Sequence, residues 1–268
     1  EAEKLYLGKM EEISKQAEKK IRPLVEELRK QGKIPEEDSL LVKCVEKHEE
    51  AYEKLYHAYR AWELEYYAEH PMQYALYDMA DQMRYNNNRH DEQKQKLMSL
   101  YHNMYENFHP ENPIHNTIRT LEAAWLLKPG KPYHDFDVHT IEGKKVQVSS
   151  LYRGKVALID FWASWCGPCR RHSKAMIPIY EKYKDKGFTV VAIARENDPK
   201  DMIQAARQDG YPWESLIDLR DELNVWQKNG LGLGGGGMFL IDRDGKVVAR
   251  FEPTTDLKRV AEAIEALL

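Results

Sequence analysis

The spacing of apolar residues divides the chain into two parts. In the first half, apolar residues recur at intervals of three and four, which predicts helices. Pro23 is expected to kink the first helix or to start its second part, and Gly32 to end it. The Asn86–Asn88 run is expected to break a later helix. The predicted helices cover residues 10–28, 38–69, 71–85, 91–108 and 113–127. Residues 1–129 are therefore predicted to form an all-α domain.

The helix predicted over residues 38–69 has an apolar face rich in aromatic residues. That face comprises Leu41, Val45, Tyr52, Leu55, Tyr56, Tyr59, Trp62 and Tyr66. Such a stripe is typical of the core of a small helical bundle, and an aromatic groove for a ligand is the alternative interpretation. The helix would be roughly 45 Å long at 1.5 Å per residue, which leaves room for a homodimer contact through the N-terminal helices or for a contact with a further N-terminal domain.

After the segment Lys128–Pro132, the pattern changes to alternating strands and helices. Strands are predicted at residues 146–148, 156–161, 188–194, 238–241 and 246–251. Helices are predicted at residues 170–186, 199–208, 221–228 and 256–268. This order, which ends in a hairpin and a helix, predicts an α/β domain over residues 130–268 with a mixed sheet flanked by helices.

The segment V-A-L-I-D-F-W-A-S-W-C-G-P-C holds the candidate chemistry. Cys166 lies where a strand gives way to a helix, and a thiol at a helix N-terminus faces unpaired N–H groups that favour its thiolate. Cys169 lies one turn into the helix and is expected to be shielded. Two cysteines at this spacing, with Gly167 and Pro168 between them, can open and close a disulfide.

Other interpretations of the cysteines carry less support. A C-x-x-C pair can be half of a zinc site, and His172 follows Cys169 by three residues, but a fourth ligand is not evident. No metal and no cofactor are therefore expected. Cys44 stands alone among Leu40, Leu41 and Val45, which predicts a buried structural thiol.

Asp160 interrupts the apolar run before the cysteines. Burial would raise its pKa, and a carboxylate there could accept the proton of Cys169. The alternative is an aspartate that is hydrogen-bonded for structural reasons alone. Trp162 and Trp165 are expected to frame the site and cover the disulfide.

The motif D-F-W-A-S-W-C-G-P-C, followed by Y-E-K-Y-K-D-K-G-F-T-V-V-A-I, resembles the thioredoxin superfamily. It is most similar to the cell-envelope TlpA/ResA type, particularly relatives from Bacteroidetes with a helical N-terminal region. The resemblance covers the chain from Pro132 to its end. It implies a thioredoxin-like fold and disulfide exchange with protein substrates and a redox partner, in the periplasm or cell envelope. It also matches Asp160 to the aspartate that accepts a proton in thioredoxins.

Two positions depart from the family pattern. Lys174 stands where relatives usually carry a proline five residues after the second cysteine. A glycine run, which includes Gly235, Gly236 and Gly237, stands where the family has the cis-proline of its substrate-binding loop. We expect trans peptides in this loop, and a backbone that passes close to the cysteines.

Composition and motifs exclude several classes of function. A formal net charge of −4 gives no reason to expect nucleic acid. No apolar run reaches the roughly 20 residues that span a bilayer. The chain opens on Glu1, so we expect a processed or trimmed chain and infer nothing from the lack of a signal peptide. The G-x-G-x-x-G match at Gly230–Gly235 lacks the preceding strand and following helix of a dinucleotide site.

Two alternatives to the oxidoreductase remain open. A thiol peroxidase of the peroxiredoxin group would require a proline at Ile159 if Cys166 were its reactive thiol. A redox-inactive binding module would keep the fold while the glycine loop no longer supports catalysis.

Overall fold

The computed structural model describes residues 1–85, 91–232 and 234–268. These residues form two compact units. The first comprises Glu1–Gln82 and the segment up to Pro110, and the second comprises Met83–Tyr85 and Glu111–Leu268. The second unit thus begins before residue 130, where the sequence predicts the start of the α/β domain. That domain boundary stays a prediction. The helix break predicted at Asn86–Asn88 lies outside the described residues.

The first unit is helical, as the apolar spacing predicted. Its helices are α1 (Ala2–Lys30), α2 (Ser39–Glu69), α3 (Gln73–Tyr85) and α4 (Asp91–Leu100), which continues into a single π turn (Tyr101–Tyr105). The helix α1 runs through Pro23 and ends before Gly32, whose φ of +70° is the left-handed conformation that ends many helices. The Asp38 carboxylate accepts the N–H groups of Leu40 and Leu41 and so caps α2.

A buried polar cluster joins α2 to α3 within the first unit. The Arg60 guanidinium bonds Glu63 at 2.6 Å and Asp78 at 3.0 Å, and the Tyr67 hydroxyl also donates to Asp78. Glu63, Leu64 and Tyr67 are buried, whereas Tyr66 is 38% exposed. The buried face at this end of α2 is therefore rotated from the predicted aromatic face. Glu63 can lie on the buried face because its ion pair with Arg60 satisfies its charge there.

The second unit contains the sheet and the remaining helices. The helices are α5 (Ile114–Leu126), α6 (Ser149–Tyr152), α7 (Gly167–Tyr183), α8 (Pro199–Asp209), α9 (Val225–Lys228) and α10 (Leu257–Glu265). The strands are β1 (Asp137–His139), β2 (Lys145–Gln147), β3 (Val156–Trp162), β4 (Phe188–Glu196), β5 (Ser215–Leu219), β6 (Gly237–Ile241) and β7 (Val247–Phe251).

The strands form one seven-stranded mixed sheet in the order β2-β1-β5-β4-β3-β6-β7. The central strand β3 pairs in parallel with β4 and antiparallel with β6, and all seven of its residues are buried. Two buried clusters, one containing Trp162 and the other Phe161, divide the core of this unit. Because alternate residues of a strand point to opposite faces, these neighbours belong to the two sides of the sheet. The predicted thioredoxin-like α/β fold is confirmed.

The helix predicted over residues 221–228 is wrong in its first half. Only Val225–Lys228 is helical, because Arg220, Asp221 and Asn224 have φ values of 54°, 57° and 51°. These left-handed conformations are incompatible with a right-handed helix. The buried Asp218 carboxylate accepts the N–H groups of Leu223 and Val225 and holds this turn.

In the part of the chain that the structure describes, no helix combines the length and apolar character needed to cross a membrane.

Candidate active site

The cysteine pair lies at the junction of β3 and α7. Cys166 and Cys169 form a disulfide, with their Cα atoms 5.3 Å apart. Cys166 is the residue before α7, and its sulfur accepts the N–H of Cys169 at 3.3 Å. Gly167 opens the helix, and Pro168 occupies its first turn, where a proline loses no helical hydrogen bond. Cys166 is 8% exposed and Cys169 is 2% exposed, so both are covered and Cys169 is covered more completely.

Asp160 lies beneath this junction, in the middle of β3. It is 4% exposed, and burial raises its pKa to about 6, although a hydrogen bond from Ser173 opposes the rise. The Ser173 hydroxyl lies 2.6 Å from Asp160 Oδ2 and 3.0 Å from the carbonyl oxygen of Cys169. The carboxyl is therefore connected to the helix that carries the cysteines through one buried hydroxyl.

The two predicted tryptophans occupy different environments. Trp162 is fully buried with the cysteines in one core cluster, and its ring packs edge-on against Tyr211 at 5.1 Å between centroids. Trp165 is 60% exposed and directly precedes Cys166. The structure therefore places Trp162 inside the core beneath the site and leaves Trp165 on the surface beside it.

Two groups hold the loop between β3 and α7. Glu196, at the end of β4, accepts the backbone N–H of Ser164 and its hydroxyl, the latter at 2.9 Å. Burial raises the pKa of Glu196, and the two Ser164 donors oppose that rise. Arg170 donates to the carbonyl oxygen of Ser164 at 3.3 Å and forms a bidentate pair with Asp209, at 2.6 and 3.0 Å. These hydrogen bonds and the ion pair hold the loop against the end of β4 and the end of α8.

The glycine loop reaches the cysteine pair, as its place in the sequence suggested. A Cβ atom on Gly236 would overlap the carbonyl oxygen of Phe161 and lie 3.1 Å from Cys169 Sγ. Gly237 opens β6 opposite Phe161, and the carbonyl oxygen of Gly235 accepts the indole N–H of Trp226 at 2.8 Å. The described peptides of the loop are trans, as expected. The contact with Cys169 is thus made by backbone, at a position where only glycine fits.

The other motifs take no part in this arrangement. Among the described residues, no group of three His, Cys, Asp or Glu side chains could hold a metal ion. His172 is 6% exposed on α7, and burial lowers its pKa, opposed by the backbone of Thr255. The G-x-G-x-x-G match follows α9 and precedes β6, and its Leu233 lies outside the described residues. Cys44 is half-buried, with its sulfur 4.0 Å from His48 Nδ1.

Sequence reasoning missed Ser173, Glu196 and Arg170. Ser173 follows Cys169 by four residues, which places it on the same face of a helix. Glu196 is the last residue of β4, which is parallel to β3, so it lies at the same edge of the sheet as the cysteine motif. These spacings were available in the sequence, but their meaning depended on the strand pairing.

A dithiol pair at the N-terminus of a helix, next to the central strand of a mixed sheet and above a buried carboxyl, defines the class of thioredoxin-like thiol–disulfide oxidoreductases. A sequence model of the Redoxin family matches residues 128–267, more than half of the chain. The chain belongs to the Redoxin family, and it is a thioredoxin-like thiol–disulfide oxidoreductase.

Individual relatives match about half of the chain. The thiol-disulfide oxidoreductase ResA of Bacillus thuringiensis is 33% identical over 126 residues, which cover 46% of this chain and 68% of the relative. A protein of Mesembryanthemum crystallinum, named a probable phospholipid hydroperoxide glutathione peroxidase, is 32% identical over 159 residues, covering 52% and 93%. Among solved structures, a thiol:disulfide interchange protein DsbE from Chlorobium tepidum is 31% identical, with a TM-score of 0.47 over 53% of this chain and 98% of that chain.

Proposed function

We propose that this oxidoreductase exchanges disulfides with protein substrates through Cys166 and Cys169. The observation that carries the proposal is the disulfide at the start of α7, where Cys166 precedes the helix and Cys169 is enclosed by it. The dipole of a 17-residue helix favours a thiolate at its N-terminus, so the Cys166 sulfur is the better nucleophile and the better leaving group.

In the reducing direction, the Cys166 thiolate attacks a substrate disulfide. A mixed disulfide forms, and one substrate sulfur leaves as a thiolate. Cys169 then gives up its proton and attacks Cys166 Sγ, which forms the Cys166–Cys169 bond and breaks the bond to the substrate. The substrate gains two electrons and the enzyme pair loses two. A redox partner with a dithiol restores the reduced pair, and the reverse sequence oxidises a substrate dithiol.

Asp160 has the role of proton acceptor for Cys169 in this proposal. A carboxyl with a pKa of about 6 is ionised at neutral pH, and it releases a proton readily when the pair is reduced again. Trp162, Trp165, Gly167 and Pro168 support the site, and the loop of Gly235, Gly236 and Gly237 borders the substrate. Their positions support these roles: Trp165, Gly167 and Pro168 flank the cysteines in sequence, Trp162 shares their buried cluster, and Gly236 lies next to Cys169.

Insulin reduction with dithiothreitol tests the exchange. The wild-type protein is expected to accelerate insulin precipitation, and Cys166→Ser is expected to abolish the acceleration. Cys44→Ser is the matched control, because Cys44 lies in the helical unit and forms no disulfide. Acceleration that persists in Cys166→Ser, or that disappears in Cys44→Ser, would contradict the proposed chemistry. A redox-inactive binding module would show no acceleration in any variant.

A thiol peroxidase is the second candidate, and the likeness to the glutathione peroxidase-named relative favours it. The proline that the peroxiredoxin motif would need is absent, because Ile159 occupies that position in the buried strand β3. Peroxide consumption with a thiol donor separates the two activities. We expect the wild-type protein to reduce insulin and to leave hydrogen peroxide at the rate of a Cys166→Ser control.

The same proposal includes compartment and assembly. The resemblance to cell-envelope relatives supports a place in the periplasm or cell envelope, which cell fractionation tests directly. A homodimer through the N-terminal helices is supported by apolar side chains that α1 leaves uncovered, with Leu5 57% and Leu7 47% exposed. Sedimentation should give the mass of two chains, and Leu5→Lys/Leu7→Lys should give the mass of one. A single-chain mass for the unaltered protein would refute the dimer.

A further inference from the structure

Ser173 places a buried hydroxyl between Asp160 and the helix of the cysteines. It is 1% exposed and lies in the second turn of α7. Its oxygen has two acceptors within reach, Asp160 Oδ2 at 2.6 Å and the Cys169 carbonyl oxygen at 3.0 Å. A serine hydroxyl has a single proton and can donate fully to one of these acceptors at a time.

The protonation state of Asp160 decides which acceptor receives that proton. A carboxylate can only accept, so the hydroxyl donates to Asp160 when the carboxyl is charged. A protonated carboxyl needs an acceptor for its own O–H, and Ser173 Oγ lies at the distance of a strong O–H···O bond. The serine proton is then free to turn to the Cys169 carbonyl, four residues back along the helix.

We propose that Ser173 is a positioning residue that keeps Asp160 hydrogen-bonded in both protonation states by turning its hydroxyl between Asp160 and the Cys169 carbonyl. The proposal rests on the proposed function, in which the carboxyl takes up the Cys169 proton. When that proton arrives, the Asp160 O–H donates to Ser173, and the hydroxyl turns to the backbone of Cys169. When the proton leaves, both hydrogen bonds return to their first arrangement.

The other described groups around Asp160 are less suited than Ser173 to exchange hydrogen bonds with its carboxyl. From the neighbouring strands, Ala192 of β4 and Met238 of β6 are its partners in register, and neither carries charge. From the segment after α8, the Tyr211 hydroxyl interacts with both Ser173 and Asp160, and burial raises its pKa, so it stays protonated. Its donor contacts are to the Arg170 carbonyl and Asp209.

The cysteines are also titratable groups near the carboxyl. Cys166 and Cys169 share the buried cluster of this face of the sheet. In the oxidised protein they carry no titrating proton, so the carboxyl can be followed there without interference from either thiol. His172 is one residue before Ser173 on α7 and interacts with the backbone of Thr255.

Three variants separate the hydroxyl from the packing of its side chain. Ser173→Ala and Ser173→Val remove the donor, while Ser173→Thr keeps it, and Thr and Val have the same shape. The midpoint of Asp160 is measured in the oxidised proteins by carbon-13 NMR of the labelled carboxyl, with Asp160→Asn identifying the signal. Removing the hydroxyl takes a hydrogen bond from both forms of the carboxyl. The bond to the charged form is the stronger, so the midpoint is expected to rise by about one pH unit, a tenfold loss of ionised carboxyl below it.

The expected order is a raised midpoint in the Ala and Val variants and a midpoint near that of the wild type in the Thr variant. An unchanged midpoint in Ser173→Ala would overturn the proposal, and so would equal shifts in the Thr and Val variants, because packing alone would then explain them. The rate at which Cys169 resolves a mixed disulfide should shift along the pH axis by the same amount. A shifted titration with an unshifted rate profile would also overturn the positioning role.

The two proposals fail separately. The titration needs no turnover, so an inactive wild-type protein in the insulin assay would refute the exchange function and leave the hydrogen-bond switch measurable. An active protein with an unchanged Asp160 midpoint in Ser173→Ala would refute the switch and leave the function intact.

Discussion

Replacing Asp160 by asparagine is expected to stabilise the protein and slow its chemistry at the same time. Asp160 is buried in β3, and its pKa is raised from 3.8 to about 6. A shift of about two units, at about 1.4 kcal/mol per unit, corresponds to about 3 kcal/mol. The native state therefore carries a cost of about 3 kcal/mol whenever the carboxyl is ionised. Asparagine has the same shape and an amide oxygen that can still accept from Ser173, and it has no charge to desolvate.

The direction of the Asp160 pKa shift determines how the stability of the protein depends on pH. Because the pKa is higher in the folded protein, the folded state binds more protons than the unfolded state between about pH 4 and pH 6. Stability of the wild-type protein falls as pH rises through that window, and the full cost is present above it. Asp160→Asn is thus expected to exceed the wild type by up to about 3 kcal/mol at pH 8 and to match it at pH 4.

Urea unfolding of the oxidised proteins at pH 4 and pH 8 measures this difference. Asp244→Asn, an exposed aspartate in the β6–β7 turn, is the control and should unfold like the wild type at both values. Equal stability of Asp160→Asn and wild type at pH 8 would refute the reasoning. A gain of the same size at both pH values would also refute it, because the gain would then come from packing. Mixed-disulfide resolution in Asp160→Asn should lose its dependence on pH near 6.

Three further predictions concern the surroundings of the pair. Gly236→Ala should destabilise the oxidised protein by about 1–3 kcal/mol in urea unfolding, because the new methyl overlaps backbone, whereas Gly235→Ala, whose Cβ has open space, should be neutral. Glu196→Ala should cost about 1–3 kcal/mol by leaving the Ser164 N–H and hydroxyl without their acceptor, and an unchanged midpoint would argue against that contact. The free energy of unfolding of His172→Gln, relative to that of the wild type, should be higher at pH 5 than at pH 7. Burial lowers the histidine pKa, so the unfolded state takes up the proton first as pH falls, and the wild type then loses stability.

Local signals in the chain were sufficient to predict the β3–α7 junction. The apolar run, the cysteine spacing and the following helical pattern are contiguous, so residues 156–183 could be assigned without tertiary information. The strands Asp137–His139 and Ser215–Leu219 were missed because they are short and gain their stability from pairing with each other and with β4. The turn before α9 was predicted as helix because left-handed φ values at Asp221 and Asn224 leave no trace in apolar spacing.

Prediction of the candidate site from the sequence is limited in the same way, by contacts that form only in the tertiary structure. Cys166, Cys169 and Asp160 were found because each is chemically conspicuous in its segment. Ser173 and Glu196 are ordinary residues whose contacts exist only after α7 and β4 pack against β3. A sequence pattern identifies the reacting groups, whereas the groups that orient them emerge from tertiary structure.

The two departures from the pattern of the resemblance, the glycine run and Lys174, lie close to Cys169 in space or in sequence. The backbone of Gly236 lies against its sulfur, Ser173 binds its carbonyl oxygen, and Lys174 follows where relatives carry a proline. Cys166 lies at the N-terminus of α7, beside the exposed Trp165. In the proposed exchange, attack on a substrate depends on Cys166, and release of the substrate depends on Cys169. We therefore expect this protein to differ from its relatives chiefly in the lifetime of the mixed disulfide, which quenched-flow trapping with an acid alkylation step would measure.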